Sequence, residues 1–324
     1  MPKLVTGAAG FIASQVVTQL LDAGEEVVGV DNINDAYDQR LKYHRLEQLE
    51  GRDGFTFHKL DLENIADLRK VFAANEFDAV LNLAARAGVR YSMVNPFVYL
   101  STNGMGTLNI LELMREFGVK KQVLASTSSL YAGQPMPFVE TAAVNTPLSP
   151  YAASKKAAEV MSYSYNHLHG LDTTVVRFFT VYGPAGRPDM SIFRFMRWID
   201  TGEPIIMYGD GEQSRDFTYV GDIARGAILA AKPLGYEIIN LGGGQNPISM
   251  NKVIAMLEER LGKKAVVDYQ EEHIADVRET WANIDKAKEL IDWEPQISLE
   301  DGLDLSVEWY RQNQEMACSL DLQV

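Results

Sequence analysis

The chain has 324 residues, 46% of them hydrophobic and 23% charged, enough for one large domain or two interlocked ones around an ample core. Its net charge of −14 argues against a nucleic-acid partner, which requires a basic footprint. A single cysteine, Cys318, permits no internal disulfide, and the sequence shows neither a membrane-length apolar run nor a signal-like N-terminus, so a reducing, cytoplasmic setting is expected.

"KLVTG" (3–7) reads as a buried strand and "FIASQVVTQLLDAG" (11–24) as a helix ending at Gly24. "EVVGVD" (26–31) is a second strand. A polar stretch follows, then a third strand, "FTFHKLDL" (55–62), and a helix, "NIADLRKVFAAN" (64–75). "AVLNLAA" (79–85) is a fourth strand, 98–117 a helix, and "KQVLAST" (121–127) a fifth strand. Strands that are apolar almost throughout and alternate with helices predict an α/β fold with a doubly wound parallel sheet. Such sheets bind ligands beyond the carboxyl ends of their strands.

"GAAGFIA" (7–13) lies between the first strand and its helix. Gly7 permits the tight turn, Gly10 lets a pyrophosphate approach the backbone, and the helix start supplies N–H donors. Asp31 ends the second strand 21 residues past Gly10, near the spacing of a ribose-binding acid. A carboxylate there accepts from a 2′-hydroxyl and repels a 2′-phosphate, which favours NAD over NADP. The alternative is a glycine turn without a ligand.

In "LSPYAASKKAAEVMSYSYNHLHG" (148–170), Ser149 is an N-cap, Pro150 the first helical residue and Gly170 the stop. Tyr151 and Lys155 then share a helix face. A phenol ordinarily titrates near 10, and a neighbouring ammonium favours its phenolate. An amphipathic tyrosine beside a solvated lysine is the alternative. Beyond residue 180 the alternation fades. "PIIMYGDG" (204–211) suggests a strand and turn, "NKVIAMLEERLG" (251–262) and "LEDGLDLSVEWYRQ" (299–312) helices, and 313–324 a loose tail. The histidines show no ligand-type spacing, so no metal is expected.

"GAAGFIA", "LNLAA", "LASTSSLYAG" and "YAASK", taken in this order, resemble the extended short-chain dehydrogenase/reductase (Rossmann) superfamily, and within it the nucleotide-sugar epimerases. The likeness continues through "RFFTVYGPAGRPDM", "GDGEQSRDFTYVGDIARG" and "DVRETWANIDKAKE". By this resemblance Tyr151 is the catalytic base, Lys155 its partner, and Thr127, four residues before Tyr131, the hydroxyl that binds the reacting oxygen. The resemblance also sets Asp61 near adenine and Ala84 and Ala85 beside the cofactor. Phe11, Ile12, Asn32, Leu62, Leu83, Asn103 and Phe178 complete that surface. Asn82 replaces a common histidine and Ala13 a common glycine. The smaller substrate domain implied by the resemblance comprises 180–216 and 244–312. Residues 1–179, with 217–243 returning to them, form the NAD-binding domain. Relatives pair through the helices at 98–117 and 151–169, which implies a homodimer.

Dehydratases of this superfamily carry an Asp-Glu pair after the equivalent threonine, and decarboxylases a glutamate; this chain has Ser128 and Ser129. Serines there can also serve only to satisfy a turn. Without an extra acid or base, the implied reaction reduces to oxidation and re-reduction at one sugar carbon, with NAD regenerated. "FFTVYGPAGRPDM" (178–190) holds Thr180 and Arg187 among turn-formers. In both it is similar to the UDP-glucuronate 4-epimerases, as are "AGVRYS" and "DNINDAYD". Oxidising C4 of a uronate yields a β-keto acid prone to lose CO₂, and the planar fork of Arg187 suits a carboxylate. Pairing with Asp189 is the other use for that arginine, and Arg90 at the ligand end is either a contact or a solvated charge. Arg215 and Arg278 match phosphate-gripping positions and Asp276 a ribose contact. A neutral UDP-sugar 4-epimerase and a silent NAD-binding sensor are the competing readings.

Overall fold

The computed structural model describes residues 1–244, 247–272 and 277–322. Four strands near the N-terminus, β1 (Lys3–Thr6), β2 (Val27–Asp31), β3 (Phe55–Lys59) and β4 (Ala79–Asn82), are followed by β5 (Lys121–Thr127), β6 (Asp172–Phe178) and β7 (Tyr236–Leu241). They form one parallel sheet in the order β7-β6-β5-β4-β1-β2-β3. β1, β2, β4 and β5 are buried along their whole length, whereas the edge strand β3 is half-exposed. Continuous apolar runs therefore mark strands covered on both faces. The order reverses between β1 and β4, where a crevice opens beyond the strand ends.

Helices α1 (Phe11–Asp22), α2 (Gln39–Glu47), α3 (Ile65–Ala73), α4 (Gly106–Phe117) and α5 (Pro150–His169) cover the sheet. The N-cap of α5 is Ser149, whose side chain accepts from the Ala152 N–H, and Gly170 closes the helix in the left-handed region at φ 65°. The helix expected over 98–117 is interrupted by a π-helical turn, Leu100–Met105, which sequence periodicity does not reveal. The polar stretch after β2 hides α2, capped by Asp38.

A second apolar cluster joins α6 (Ser191–Thr201) to α8 (Met250–Leu261) and α9 (Leu299–Gln312), while α7 (Val220–Leu229) packs on α1. Short strand pairs tie this region together: Thr180–Tyr182 with Phe217–Tyr219, and Ile205–Tyr208 with Val267–Gln270. The expectation of a loose C-terminal tail is corrected. Gln314–Ser319 is helical, and Ala317, Leu320 and Leu322 are buried in this cluster, because apolar burial outweighs the cost of ordering so short a segment. Among the described residues, no helix is long and apolar enough to cross a membrane.

Candidate active site

A cavity of about 400 Å³ runs along the strand ends from the glycine loop to the start of α5. At one end Gly7 stands at φ +73°, and a Cβ there would lie 2.9 Å from the Ala84 Cα. Only glycine lets the first turn pack so closely on the end of β4. Gly10 begins α1 without a side-chain cap, so the free N–H groups of that turn face the cavity. Phe11 and Ile12 line the same wall.

Asp31 is buried and accepts from the Ala9 and Ile33 N–H groups at 3.2 and 2.8 Å. Two spare lone-pair sites remain on its carboxylate for a ribose hydroxyl. Asn32 donates from Nδ2 to the Asp61 carboxylate at 2.6 Å, setting the far end of the cavity together with Leu62. Leu83, Ala84 and Ala85 have left strand geometry and also line it, as does Phe178 at the end of β6. The glycine cradle, open helix start and ribose acid together fit an NAD molecule.

The two departures from the family pattern carry structure. Asn82 accepts from the Thr6 hydroxyl at 2.8 Å and donates to Thr107 at 3.2 Å, fastening β1 to β4 and α4. Ala13 is buried on the core face of α1.

Tyr151 and Lys155 rise from the first turns of α5, and Thr127 ends β5 opposite them. Burial raises the Tyr151 phenol above its ordinary value, opposed by a hydrogen bond with Thr127 and by the charge of Arg187. The Lys155 ammonium donates to the Ala125 carbonyl at 2.9 Å. Burial pushes it down to about 8, with Glu159 pulling the other way. Arg187 thus acts on the phenol from across the cavity, while Lys155 stands one helical turn from it on the same helix. Ser128 and Ser129 open a short 3₁₀ turn on the cavity wall, where Ser129 N–H donates to Thr127 Oγ at 3.1 Å.

Thr180 and Arg187 both reach this cavity. Arg187 grips Asp189 through Nε at 3.0 Å and Nη2 at 2.6 Å, so the alternative pairing is real. Burial works against its charge, yet Asp189 beside it holds the guanidinium above its ordinary value. One edge of the fork is engaged, and the Nη1 edge is left for a second anion.

Other expected residues lie elsewhere. Asn103, on the π-helical turn, is buried behind the cavity, where it clamps both backbone groups of Arg86 and donates to Ser154 at 2.9 Å. These bonds fasten the π-helical turn to the segment that follows β4 and to α5. Arg90 covers the Tyr208 ring at 4.3 Å. Arg278 pairs with Asp210 and Glu272 at 3.1 and 3.2 Å and, like Arg215 one strand away, stands outside this cavity. Asp276 lies outside the described residues.

Sequence reasoning missed Tyr37 and Lys42, which line the cavity wall together with Asp189. Lys42 is buried, donates to Asn34 Oδ1 at 2.8 Å, and is pushed down to about 8 by burial against the pull of Asp31. The cap at Asp38 was the signal that could have placed it on a helix beside Asp31.

A doubly wound sheet with a glycine loop, a buried aspartate ending the second strand and a Thr-Tyr-Lys trio at the strand ends defines a dinucleotide-dependent enzyme of the short-chain dehydrogenase/reductase class. The chain belongs to the NAD-dependent epimerase/dehydratase family, whose model matches residues 3–242. It is 59% identical to the UDP-glucuronate 4-epimerase of Thermodesulfobacterium geofontis, over 98% of each chain. A crystal structure of UDP-glucuronic acid 4-epimerase from Bacillus cereus, in complex with UDP-glucuronic acid and NAD, superposes with a TM-score of 0.90 at 36% identity, over 96% of this chain and 99% of that one. The UDP-glucose 4-epimerase of Thermotoga maritima, solved with UDP-glucose, gives 0.88 at 33% identity, covering 97% and 100%. Uronate and neutral-sugar enzymes share the backbone, so the distinction rests on side chains.

Proposed function

We propose that this chain inverts C4 of UDP-glucuronate to give UDP-galacturonate, using NAD that stays bound and is regenerated. The observation that carries this reading is Arg187 reaching the cavity that holds Tyr151, with Thr180 and the two serines on the same wall. When bound, NAD supplies a hydride acceptor that can return the hydride to the same carbon. Tyr151 takes the C4 hydroxyl proton as the carbonyl forms and gives it back on reduction. Thr127 fixes that oxygen, and Lys155 adds positive charge at the cavity floor. The 4-keto uronate turns over between the two events, so both faces of C4 are presented in turn. Arg187, through its free edge, and Thr180, Ser128 and Ser129 hold the carboxylate throughout, which retains CO₂ on the β-keto acid.

On this reading residues 1–179 and 217–243 hold NAD, and 180–216 with 244–312 hold the UDP moiety. Arg215 and Arg278 grip the diphosphate; the Ser214 N–H donates to the Arg278 carbonyl at 2.9 Å, which keeps the two arginines together. The enzyme pairs with a second copy through the helical segments 98–117 and 151–169. Phe97 at 82% exposure and Leu100 at 61%, with Val160 and Tyr163 on α5, form the apolar surface that supports this. A reducing, cytoplasmic location belongs to the same reading, supported by the one free cysteine.

The test is a substrate panel. Purified protein given UDP-glucuronate, UDP-glucose or UDP-N-acetylglucosamine, without added NAD, should convert the uronate with much the highest kcat/KM. Preferential inversion of a neutral sugar would favour the 4-epimerase of neutral UDP-sugars and displace the carboxylate reading of Arg187.

A further inference from the structure

Besides its internal Arg187–Asp189 pair, the loop that carries Arg187 is held from outside. Its Ala185 sits in the left-handed region at φ 51°, an unfavourable conformation for a residue with a Cβ. The Ala185 carbonyl accepts two hydrogen bonds from one guanidinium, that of Arg45 on α2, from Nε at 3.0 Å and Nη2 at 2.7 Å. Arg45 is buried, and its remaining amine donates to the Tyr37 hydroxyl at 2.6 Å and to the carbonyl of Ala9, within the glycine loop, at 3.3 Å. The Tyr37 ring, 5% exposed, is in turn the surface on which Arg187 rests, its guanidinium carbon 5.5 Å from the ring centre. Lys42 Nζ and Arg45 stand 5.0 and 5.4 Å from the same centre.

These contacts form one connected body that starts at the glycine loop and ends at the arginine beside Tyr151. An electron-rich ring is a favourable seat for a guanidinium, and it leaves the edges of the fork free for carboxylates. Nearby cations also keep the ring's surroundings positive, so a carboxylate arriving at Arg187 meets a site already organised for it. We infer that Tyr37 and Arg45 are positioning residues for uronate selectivity: together they form a strut, braced on the glycine loop, that fixes where Arg187 presents its free edge. This rests on the carboxylate reading of Arg187 given above. Neither residue touches the reacting carbon. Their effect is on which sugar is held and whether the keto acid keeps its CO₂.

A double-mutant cycle tests this. Tyr37→Leu, Arg187→Ala and the combined variant are compared with the wild type for the KM and kcat of UDP-glucuronate, the inhibition constant of UDP, retained NAD, and any decarboxylated sugar. Removal of the ring should raise the KM for UDP-glucuronate on the order of tenfold, with the inhibition constant of UDP and the NAD content unchanged. That loss should vanish in the Arg187→Ala background, and Tyr37→Phe, which keeps the ring, should restore most of it. Should Tyr37→Leu not accumulate as folded protein, Tyr37→Met removes the ring with a more adaptable side chain and enters the same cycle.

The inference is overturned if the folded, NAD-bearing ringless variant has wild-type KM for UDP-glucuronate. It is equally overturned if UDP and UDP-glucuronate weaken in parallel, or if the loss is the same with and without Arg187. If Arg187→Ala alone leaves uronate binding unaltered, the carboxylate reading fails and this inference fails with it. A silent Tyr37→Leu beside a damaging Arg187→Ala rejects only the strut.

Discussion

Glu159 lies one helical turn beyond Lys155 and two beyond Tyr151, on the buried face of α5. Its carboxylate accepts from Arg177 Nε at 2.9 Å and Nη2 at 2.8 Å, and from Ser126 Oγ at 2.7 Å. Both partners of the ion pair are 1% exposed. Burial opposes the Glu159 charge, but Arg177 holds its carboxyl below the usual range. The Glu159 charge in turn supports the Lys155 ammonium, which burial has pushed down to about 8. Glu159→Gln removes that charge with little change of shape. Cβ atoms one helical turn apart lie roughly 6 Å from each other, and unit charges at that separation attract by roughly 3 kcal/mol at an effective dielectric of about 20. Arg177 already cancels part of it, so the Lys155 titration should fall by roughly one pH unit.

The direction follows from the role of the lysine. Activity that needs the ammonium declines as pH rises through its pKa, so a lower pKa moves the alkaline limb of kcat to lower pH. The assay is kcat for UDP-glucuronate inversion across pH 6 to 10, with NAD content and circular dichroism measured on the same preparation. Thermal stability should also drop, because a buried arginine that loses its counter-charge costs about 3–5 kcal/mol. A folded, NAD-bearing variant whose alkaline limb stays in place or moves upward would refute the argument.

Thr127→Val removes the hydrogen bond that opposes the upward push of burial on Tyr151; the acid limb of kcat should shift to higher pH by roughly one unit, with the affinity for UDP preserved. Deletion of residues 313–324 exposes the pocket filled by Ala317, Leu320 and Leu322; at about 1.5–3 kcal/mol per large apolar side chain, the melting temperature should fall by several degrees, whereas a true tail would leave it unchanged. Phe97→Glu places a charge in the proposed dimer surface, and sedimentation velocity should report a monomer that still binds NAD.

The sheet was legible in the sequence because strands buried on both faces are apolar throughout and helices with one buried face are periodic. The glycine loop, Asp31, Tyr151, Lys155 and Thr127 could be placed because each is tied to the end of such an element. What escaped notice had no such tie. Helix α2 buries Lys42 and Arg45 among polar neighbours, so hydrophobic periodicity missed it, and with it the cations around Tyr37. Gln314–Ser319 is too short for a periodic signal. The π-helical turn is a shift in hydrogen-bond register, which leaves no mark on composition. The bonds from Asn103 to Arg86 and Ser154 were not legible either, since they join segments far apart in the chain. For Lys155, helical spacing put it on the face of Tyr151, but the Ala125 carbonyl that accepts from its ammonium comes from β5 and could not be read from that spacing.

The central claim is that hydride leaves C4 of UDP-glucuronate and returns to that carbon within one active site. UDP-glucuronate carrying deuterium at C4, incubated in ordinary water with the purified enzyme and no added NAD, tests it by NMR. The account predicts UDP-galacturonate with the deuterium still at C4. Product that has lost the label, or a requirement for added NAD in step with turnover, would contradict it.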